Sequence, residues 1–433
     1  MRLKTIAAPT ARLARYASAL YVALFVMASI ACAQSASKSS TQSSPSANAL
    51  GHHDIKVADL PPPEVQKGPV NSSKVIPKPD DAKLNLPPGF EISTYAEGNL
   101  DRPRWLALAP NGDVFVAESQ GKRISVLRDS NGDGKVDERF VFAEDLNAPF
   151  GMAFWRDYLY VGNNNAVIRF KYKSGQTKAE GAPEKIATLP GDGYREHWTR
   201  NLIFSPDGSK LYVTVGSKSN VDAGEEPMRA VISEFNPDGS GHRIYASGTR
   251  NPIGLAFNPR TNRLWTSVQE RDLIGNDLVP DYVTSVSEGA FYGWPYAYIG
   301  PHEDPRRAGE KPDLVKQAVV PDVLIQAHSA VLGLVFYDGK MFPADYRGDA
   351  LVALHGSWNR APRTGYKLVR IRFDQSGKPV GGYDDFLTGW MLGEDRPEVW
   401  GRPVGLLVLK DGSMLVADDG AMKIWRITYA KPK

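Results

Sequence analysis

The chain has 433 residues, of which 42% are hydrophobic and 23% charged, the balance of an ordinary globular protein with a sizeable core. Its formal net charge is +3, but positions 1–33 carry four basic and no acidic residues, so the net charge of the rest of the chain is near −1. That part therefore lacks the basic excess typical of a nucleic-acid-binding protein. The 40 glycines and 32 prolines suit many short strands joined by tight turns, and the absence of a long amphipathic helical pattern argues against an α/β fold.

The first 33 residues have the pattern of an export signal. Basic residues precede an apolar run from Ala17 to Ala31, and small residues surround Cys32. The run is shorter than the roughly 20 residues that a membrane span requires, so a spanning anchor is the weaker interpretation. We therefore expect a cleaved signal peptide over 1–33 and a periplasmic or secreted protein. Lipid attachment at Cys32 is the alternative, although Ser29 stands where lipoprotein signals usually carry leucine.

Residues 34–85 are rich in serine and then in proline, and they have no hydrophobic periodicity. This composition predicts a disordered linker. Because Cys32 is the single cysteine of the chain, we expect no disulfide in the folded part.

One pattern recurs six times between residues 101 and 416. Each copy combines a polar residue, often next to proline, with a short apolar run, a turn and a second apolar run. The copies are roughly 45 to 80 residues apart, a period that indicates propeller blades or solenoid turns. They begin at Asp101, Asn147, His197, Arg250, His328 and Arg402.

Further strand-like pieces follow most copies, which gives four antiparallel strands per unit. The sequence therefore predicts an all-β fold, a six-bladed β-propeller of four-stranded blades, over residues 86–433. The last unit runs out of sequence after Tyr429, and we expect the strand-like segment 90–95 to supply its outer strand. Such an exchange would close the ring and leave no open sheet edge.

In a propeller, the loops that lead into the innermost strands converge at the central channel. The polar residues just before the apolar runs, and those of the 355–360 motif, should therefore meet there. These candidates are His197, Arg104, Arg200, Arg250, Asn251, His328, His355, Arg360 and Arg402. A cluster of buried cations is costly unless an anion joins it, and arginine binds carboxylates and phosphates bidentately. A neutral histidine among arginines could act as a general base, because positive charge lowers its pKa.

Each of these residues also has an ordinary structural interpretation. A single loop histidine is more often structural than catalytic, and Arg250-Asn251-Pro252 could be turn chemistry. His328 and His355 could pack against aromatic side chains. The functional interpretation depends on the recurrence of these residues at one register of the repeat.

Two loops are rich in oxygen ligands. The first has oxygen side chains at alternating positions and glycine at the sixth, like the start of a calcium loop, and its candidate ligands are Asp129, Asn131, Asp133 and Asp137. Its twelfth position is Phe140, where an EF-hand has glutamate. The loop can therefore be interpreted either as a calcium-binding hairpin tip or as a solvated turn. The second loop, residues 269–282, could hold a hard cation or be a capped surface loop.

The sequence resembles the glucose/sorbosone dehydrogenase family over residues 86–430. This family comprises the pyrroloquinoline quinone (PQQ)-dependent soluble sugar dehydrogenases, and the match is closer to the L-sorbosone and pyranose dehydrogenase branch than to the soluble glucose dehydrogenases. The motifs that carry the resemblance are Arg250-Asn251-Pro252, the Gln269–Tyr282 loop, Tyr292-Gly293-Trp294-Pro295 and His355-Gly356-Ser357-Trp358-Asn359-Arg360.

The resemblance implies a propeller with PQQ at the channel mouth and Ca²⁺ polarising its quinone. His197 matches the family's general base, which takes the proton of a sugar hydroxyl while hydride moves to the quinone. Arg250, Asn251 and Arg402 match residues that grip the cofactor. The two successive backbone carbonyls that hold the cofactor's Ca²⁺ match Glu270 and Arg271.

The chain departs from the glucose enzymes of this family at three places. His355 replaces a lysine that contacts PQQ, and His328 replaces a threonine. Asn147-Ala148-Pro149 stands where those enzymes have Gln-Gly-Gly.

The leading functional prediction is an exported, PQQ- and calcium-dependent dehydrogenase that oxidises a small-molecule sugar or sugar aldehyde. The chain has no Cys-x-x-Cys-His haem motif, so we expect an external electron acceptor such as a cytochrome or a quinone. A propeller lactonase or hydrolase with a central Ca²⁺ is one alternative, which predicts acidic and asparagine ligands at the channel. A non-catalytic glycan-binding propeller is the other, which predicts an aromatic, charge-poor mouth.

Overall fold

The computed structural model describes residues 50–65, 68–191 and 197–430. The predicted signal peptide, Cys32 and the first part of the predicted linker lie outside these residues. Within them, six sheets are each built from four antiparallel strands, and together they confirm the predicted six-bladed β-propeller. In the described part of the chain, no helix is long and apolar enough to cross a membrane.

Blades 1 to 3 occupy the first half of the ring. Blade 1 consists of strands Pro103–Leu108, Val114–Glu118, Arg123–Arg128 and Glu138–Ala143. Blade 2 consists of Met152–Trp155, Tyr158–Asn163, Ala166–Lys171 and Glu184–Thr188. Blade 3 consists of Leu202–Phe204, Leu211–Val215, Val231–Phe235 and Arg243–Ser247. In each blade, the first of the four strands is the innermost one.

Blades 4 to 6 complete the ring. Blade 4 consists of Asn251–Phe257, Leu264–Gln269, Asp281–Ser285 and Val323–Ile325. Blade 5 consists of Val331–Phe336, Ala350–Leu354, Lys367–Ile371 and Tyr383–Leu387. Blade 6 consists of Pro403–Val408, Met414–Asp418, Lys423–Tyr429 and, from the start of the fold, Phe90–Glu97.

The pairing of Phe90–Glu97 with Lys423–Tyr429 closes the ring. The two strands are antiparallel, and their register runs from Lys423 opposite Glu97 to Tyr429 opposite Phe90. The sequence prediction that the segment ahead of the first repeat supplies this outer strand is confirmed. Both ends of the propeller domain therefore lie in one sheet, in which Phe90–Glu97 is the outermost strand.

The core lies between neighbouring blades. The second strand of most blades is buried along its whole length, because its two faces contact the blades on either side. Blades 1 and 2 meet through aromatic rings, for example Phe115 and Phe154, whose centroids are 5.0 Å apart in an edge-to-face arrangement. This packing makes each blade a rigid support for the loops at its ends.

The remaining regular elements are short. One α-helix, Pro312–Gln317, and a two-stranded ribbon of Ala297–Tyr298 and His302–Glu303 lie in the long connection within blade 4. The 3₁₀ turns are Val57–Asp59, Pro305–Arg307 and Ala344–Tyr346.

The described part of residues 50–85 runs along the propeller and differs from the disordered linker that the sequence predicts. Strand His52–His53 adds a fifth strand to blade 5 beside Tyr383–Leu387, and strand Lys74–Val75 pairs in parallel with Glu398–Val399. These contacts use backbone groups, which serine- and proline-rich composition does not reveal. We call residues 68–76 the strap.

Candidate functional site

A polar cavity of about 180 Å³ lies where several inner strands begin and second strands end. His197, Arg250 and His328, which are far apart in sequence, all line it. The lining residues are His197, Arg250, Gln269, Glu270, Asp272, Asp281, His328, Ala330, Trp358 and Asn359.

His197 is held from one side of its ring. Its Nδ1 lies 3.0 Å from both the backbone oxygen and the hydroxyl of Ser217, and that hydroxyl donates to Ser219 O at 2.7 Å. Nδ1–H is therefore the donor, which leaves the lone pair on Nε2. Burial, and next the positive charge of Arg250, lower the pKa of His197 to about 3. The imidazole is thus neutral at pH 7 and able to accept a proton.

Gly216 allows the close approach of His197 and Asn251. A Cβ atom at this position would lie 2.4 Å from Asn251 Oδ1 and 2.6 Å from His197 Cβ. Both separations are below any normal contact, so only glycine fits between these two side chains.

Arg250 is saturated by groups of its own chain. Its Nη1 donates to Glu270 O at 2.6 Å, its Nε and Nη2 donate to Asn220, and Nη2 also lies 3.1 Å from Asp272 Oδ2. Asp272 accepts in addition from Asn359 Nδ2 at 2.5 Å, and its Oδ1 lies 3.5 Å from His328 Nδ1. Arg250 and Asp272 therefore form the centre of a buried charged network.

The charges of this network shift two pKa values. Burial raises the pKa of Asp272, but Arg250 and His328 outweigh burial and bring it to about 2. Burial lowers the pKa of His328, but the Asp272 carboxylate outweighs burial and raises it above its usual value. Asp281, which accepts from Glu270 N at 2.9 Å, has its pKa raised by burial to about 7.

A second network surrounds Asp419. Its Oδ1 lies 2.9 Å from His355 Nε2, and its Oδ2 pairs with Arg104. His355 Nδ1 lies 2.9 Å from Arg402 Nη2. Burial, and next Arg402, lower the pKa of His355 to about 4, whereas its neighbours hold the pKa of the Asp419 carboxyl far below its usual value despite burial.

The two aspartates correct the expectation that only a ligand can compensate the arginines. Asp272 and Asp419, which sequence reasoning did not select, already provide carboxylates for Arg250 and Arg104. The second network also contains Arg402, whose Nη2 lies beside His355. Both aspartates come from the ends of second strands, beside the motif residues that sequence reasoning did find.

Asn251 and Arg104 retain unused polar capacity. Asn251 Nδ2 donates to Gln269 Oε1 at 3.0 Å, but its buried Oδ1 has no hydrogen-bond partner among the described residues. Arg104 Nε is likewise buried without an acceptor in the part of the chain that the structure describes. The guanidinium of Arg104 also lies 5.2 Å from the ring centroid of Trp198. Unused buried donors and acceptors are typical of positions that a ligand completes.

Of the predicted cofactor residues, Arg250 and His328 line the cavity. The others lie outside its lining, and they are Arg104, Arg200, Asn251, His355, Arg360 and Arg402. Arg200 donates to the backbone oxygens of His197 and Pro190, at 2.6 and 2.7 Å, and so supports the loop that carries His197. Arg360 Nη2 donates to Asp277 Oδ1 at 2.6 Å and joins two loops of the rim.

Glu270 and Arg271 differ in their surroundings. Glu270 lines the cavity, and its backbone oxygen accepts from Arg250. Arg271 is fully buried, and its guanidinium lies 3.0 Å from the carboxylates of both Glu270 and Asp304. Within the described residues, no group of three or more His, Cys, Asp or Glu side chains is arranged to hold a metal ion. That finding concerns side chains, whereas the predicted calcium ligands at positions 270 and 271 are backbone carbonyls.

The loop between the third and fourth strands of blade 1 contains the other predicted calcium ligands, and it does not line the cavity. Its oxygens bind its own backbone, since Asp129 accepts from Gly132 N at 2.7 Å and Asp137 accepts from Ser130 N at 2.8 Å. Asn131 and Asp133 accept backbone N–H groups within the same turn. Calcium binding by Asp129, Asn131, Asp133 and Asp137 stays a prediction.

Comparisons with known proteins agree with this fold. A family model described as a domain of unknown function, DUF7133, matches residues 77–356, and a TrAA12-like model matches residues 311–430. An uncharacterized protein of Borreliella burgdorferi is 28% identical over 358 residues, which cover 80% of this chain and 91% of that protein. The PQQ-dependent pyranose dehydrogenase of Coprinopsis cinerea is 24% identical over 405 residues, which cover 80% of this chain but 54% of that enzyme.

A solved structure extends the likeness to three dimensions. The holo PQQ domain of the Coprinopsis cinerea pyranose dehydrogenase superimposes with a TM-score of 0.69 at 21% identity, covering 81% of this chain and 98% of that domain. At this identity the superposition establishes a shared fold. The chain is distantly similar to sugar dehydrogenases that depend on PQQ, among them the pyranose dehydrogenase of Coprinopsis cinerea. Because the DUF7133 model matches more than half of the chain, the chain belongs to the DUF7133 family.

Proposed function

We propose that the protein is a PQQ- and calcium-dependent dehydrogenase that oxidises a sugar or sugar aldehyde. The observation that carries this proposal is a neutral His197 in a cavity whose walls include Arg250, next to a network that contains Arg104 and Arg402. A proton acceptor beside fixed cations suits the oxidation of a neutral alcohol next to an anionic cofactor.

The residues present fit a planar polycarboxylate such as PQQ. Arg104, Arg250 and Arg402 supply the positive charge, and the unpartnered Asn251 Oδ1 and Arg104 Nε offer an acceptor and a donor that the protein itself leaves unused. The backbone carbonyls of Glu270 and Arg271 would hold the Ca²⁺, as hard cations prefer oxygen ligands. When bound, PQQ would supply an electrophilic quinone that accepts hydride from the sugar carbon.

His197 has the properties of a general base for this reaction. Ser217 fixes the proton on Nδ1, so Nε2 is the atom that would take the hydroxyl proton of the sugar. Burial, and next the positive charge of Arg250, keep the imidazole neutral before the reaction. Arg200 holds the backbone of the same loop through His197 O, which supports the position of the ring.

The lactonase alternative is less well supported. It needs carboxylates that are free to bind a central metal ion, and the cavity does contain Glu270, Asp272 and Asp281. However, Glu270 pairs with Arg271 and Asp272 pairs with Arg250. Asp281 accepts backbone N–H groups of Glu270 and Val331. Each of these three carboxylates thus helps to hold a loop, and one oxygen, Glu270 Oε1, is buried without a hydrogen-bond partner among the described residues. The glycan-binding alternative predicts a charge-poor mouth, whereas the networks here are charged.

The experiment that tests the proposal is a titration of metal-stripped protein with PQQ, with and without Ca²⁺, followed by absorbance. Binding that depends on Ca²⁺, followed by turnover of an aldose panel with an artificial electron acceptor, would support the proposal and rank the substrates. Absence of binding at micromolar PQQ in the presence of Ca²⁺ would contradict it.

Export and an external electron acceptor are parts of the same proposal. They are supported by the sequence pattern of residues 1–33 and by the lack of a haem-attachment motif. Amino-terminal sequencing and mass measurement of the protein from its native host would test export, and they would also distinguish plain cleavage from lipid attachment at Cys32.

A further inference from the structure

Trp358 exposes its side chain at the rim of the His197 cavity. The residue is 48% exposed and lines the cavity, whereas the other eight tryptophans of the chain are buried or partly buried. Exposure of a large aromatic ring is unfavourable for a folded protein in water, so a ring placed in this way at a cavity rim is a feature of binding surfaces.

The strap fixes the loop that carries Trp358. Asn71 of the strap uses all of its polar groups on this loop: its N donates to Trp358 O at 2.7 Å, and its Nδ2 donates to Arg360 O at 2.7 Å. In return, Arg363 donates to Asn71 O at 2.8 Å and to Asn71 Oδ1 at 2.7 Å. A single strap residue therefore makes four hydrogen bonds to residues 358–363.

The opposite side of the loop is tied to blade 4. Asn276 Nδ2 donates to Ala361 O at 2.6 Å, and Ala361 N donates to Asn276 Oδ1 at 2.9 Å. The pair of Arg360 and Asp277 lies beside these bonds. The backbone next to Trp358 is thus held from two directions, while its ring stays exposed. Rigid placement of an exposed ring lowers the entropy that binding would cost.

The chemistry of the rim fits a sugar ring. The cavity lining includes the polar side chains of His197, Gln269 and Asn359 together with the exposed indole of Trp358. A pyranose has one face of C–H groups and a periphery of hydroxyls, which is the complementary arrangement. An anion is less suited to the rim, because the face of an aromatic ring is electron-rich.

We propose that Trp358 is the stacking platform for the sugar ring of the substrate, and that Asn71 is a positioning residue that holds this platform over the cavity. The inference rests on the proposed function for the identity of the reaction, but it concerns a neutral sugar and not the cofactor. It assigns to the strap a role in substrate binding, which would make residues outside the blades part of the site.

The test uses three variants of the full protein, Trp358→Ala, Trp358→Phe and Asn71→Ala. The control is Val380→Ala, because Val380 is similarly exposed, at 52%, and lies outside the cavity lining. We expect Trp358→Ala to raise KM for the preferred aldose by about 10-fold, the size of effect that loss of one aromatic stacking contact produces. kcat and PQQ affinity should stay within about 2-fold. Trp358→Phe should restore most of the loss, and Asn71→Ala should raise KM by about 3-fold or more.

A second measurement separates this inference from the proposed function. Saturation-transfer NMR on protein without PQQ reports sugar binding directly, and the signal should be lost in Trp358→Ala and kept in Val380→Ala. If wild-type protein binds sugar through Trp358 but never binds PQQ, the inference stands and the proposed function fails. If Trp358→Ala leaves KM unchanged, or weakens PQQ binding instead, the inference is overturned. It is also overturned if no sugar binds to wild-type protein with or without PQQ.

Discussion

The Nη2 atom of Arg250 lies 3.1 Å from Oδ2 of Asp272, so the arginine that sequence reasoning directed at a ligand is paired within the protein. The two side chains are 6% and 17% exposed, and the same aspartate binds Asn359. This pair fixes the loop after the second strand of blade 4 against the start of the inner strand. It therefore sets both the shape and the charge of the cavity.

Removal of the carboxylate from this pair should be costly. In Asp272→Asn, the guanidinium of Arg250 stays buried without its counter-charge, and we expect the free energy of unfolding to fall by about 3 kcal/mol or more. The matched control is Asp313→Asn, because Asp313 is 90% exposed and lies 3.9 Å from Lys316. Its effect should stay within about 0.5 kcal/mol. Urea unfolding of the three proteins measures both values, and equal effects would contradict the role given to Asp272.

Gly216→Ala should disable the site while preserving the fold. The added methyl group would meet Asn251 Oδ1 and His197 Cβ at 2.4 and 2.6 Å, so these side chains must move apart. We expect turnover to fall by about 100-fold or more, since small displacements of a catalytic group have effects of this size. Far-UV circular dichroism should be unchanged. Gly224→Ala is the control, because a Cβ there meets nothing within 4 Å, although its positive φ of 78° adds backbone strain. Wild-type turnover in Gly216→Ala would show that the close approach is unimportant.

The depressed pKa of His197 has a consequence for stability. The folded-state pKa is about 3 and the ordinary value is 6.5, so below pH 6.5 the unfolded chain binds a proton that the folded protein excludes. This contribution to stability is complete above pH 6.5 and is lost as the pH falls towards 3. Between pH 7 and 4.5 the wild type should lose about 2.5 kcal/mol more than His197→Gln, because each pKa unit corresponds to 1.4 kcal/mol.

Comparison with His197→Gln is needed because other groups act in the opposite direction. Burial raises the pKa of Asp281 to about 7 and that of Asp418 to about 6, so their contributions to stability are lost as the pH rises through these values. Both groups are present in wild type and variant, and their effects cancel in the difference. Parallel stability curves for the two proteins would mean that His197 is not held neutral by the fold.

Much of the fold was predictable because local signals agree with the global arrangement. Each repeat carries its turn residues and apolar strands in one order, and four such strands can bury their faces only against neighbouring units. The closing strand was predictable for the same reason, because segment 90–95 has strand character and the last unit lacks an outer strand. The path of the strap was not predictable, because backbone pairing with an exposed edge leaves no hydrophobic pattern.

The site was predictable in part. His197, Arg250 and His328 were found because they stand just before inner strands, which a propeller gathers at the channel. Asp272 lies in the 269–282 loop, which was considered only as a possible cation site. Asp419 was missed because the segment after the second strand of the last repeat was not considered. A search of the residues after the second strand of every repeat would have selected them.

The most direct test of the proposed function is a single-turnover experiment without oxygen. Protein loaded with PQQ and Ca²⁺ is mixed with excess aldose, and the quinone absorbance is followed over time. The proteins compared are wild type, His197→Ala and the control His242→Ala. His242 packs on Phe235 and lies outside the cavity lining. We predict bleaching in wild type and control, and a rate about 100-fold or more lower in His197→Ala with PQQ still bound. Bleaching at the wild-type rate in His197→Ala, or none in wild type with any aldose, would contradict the account.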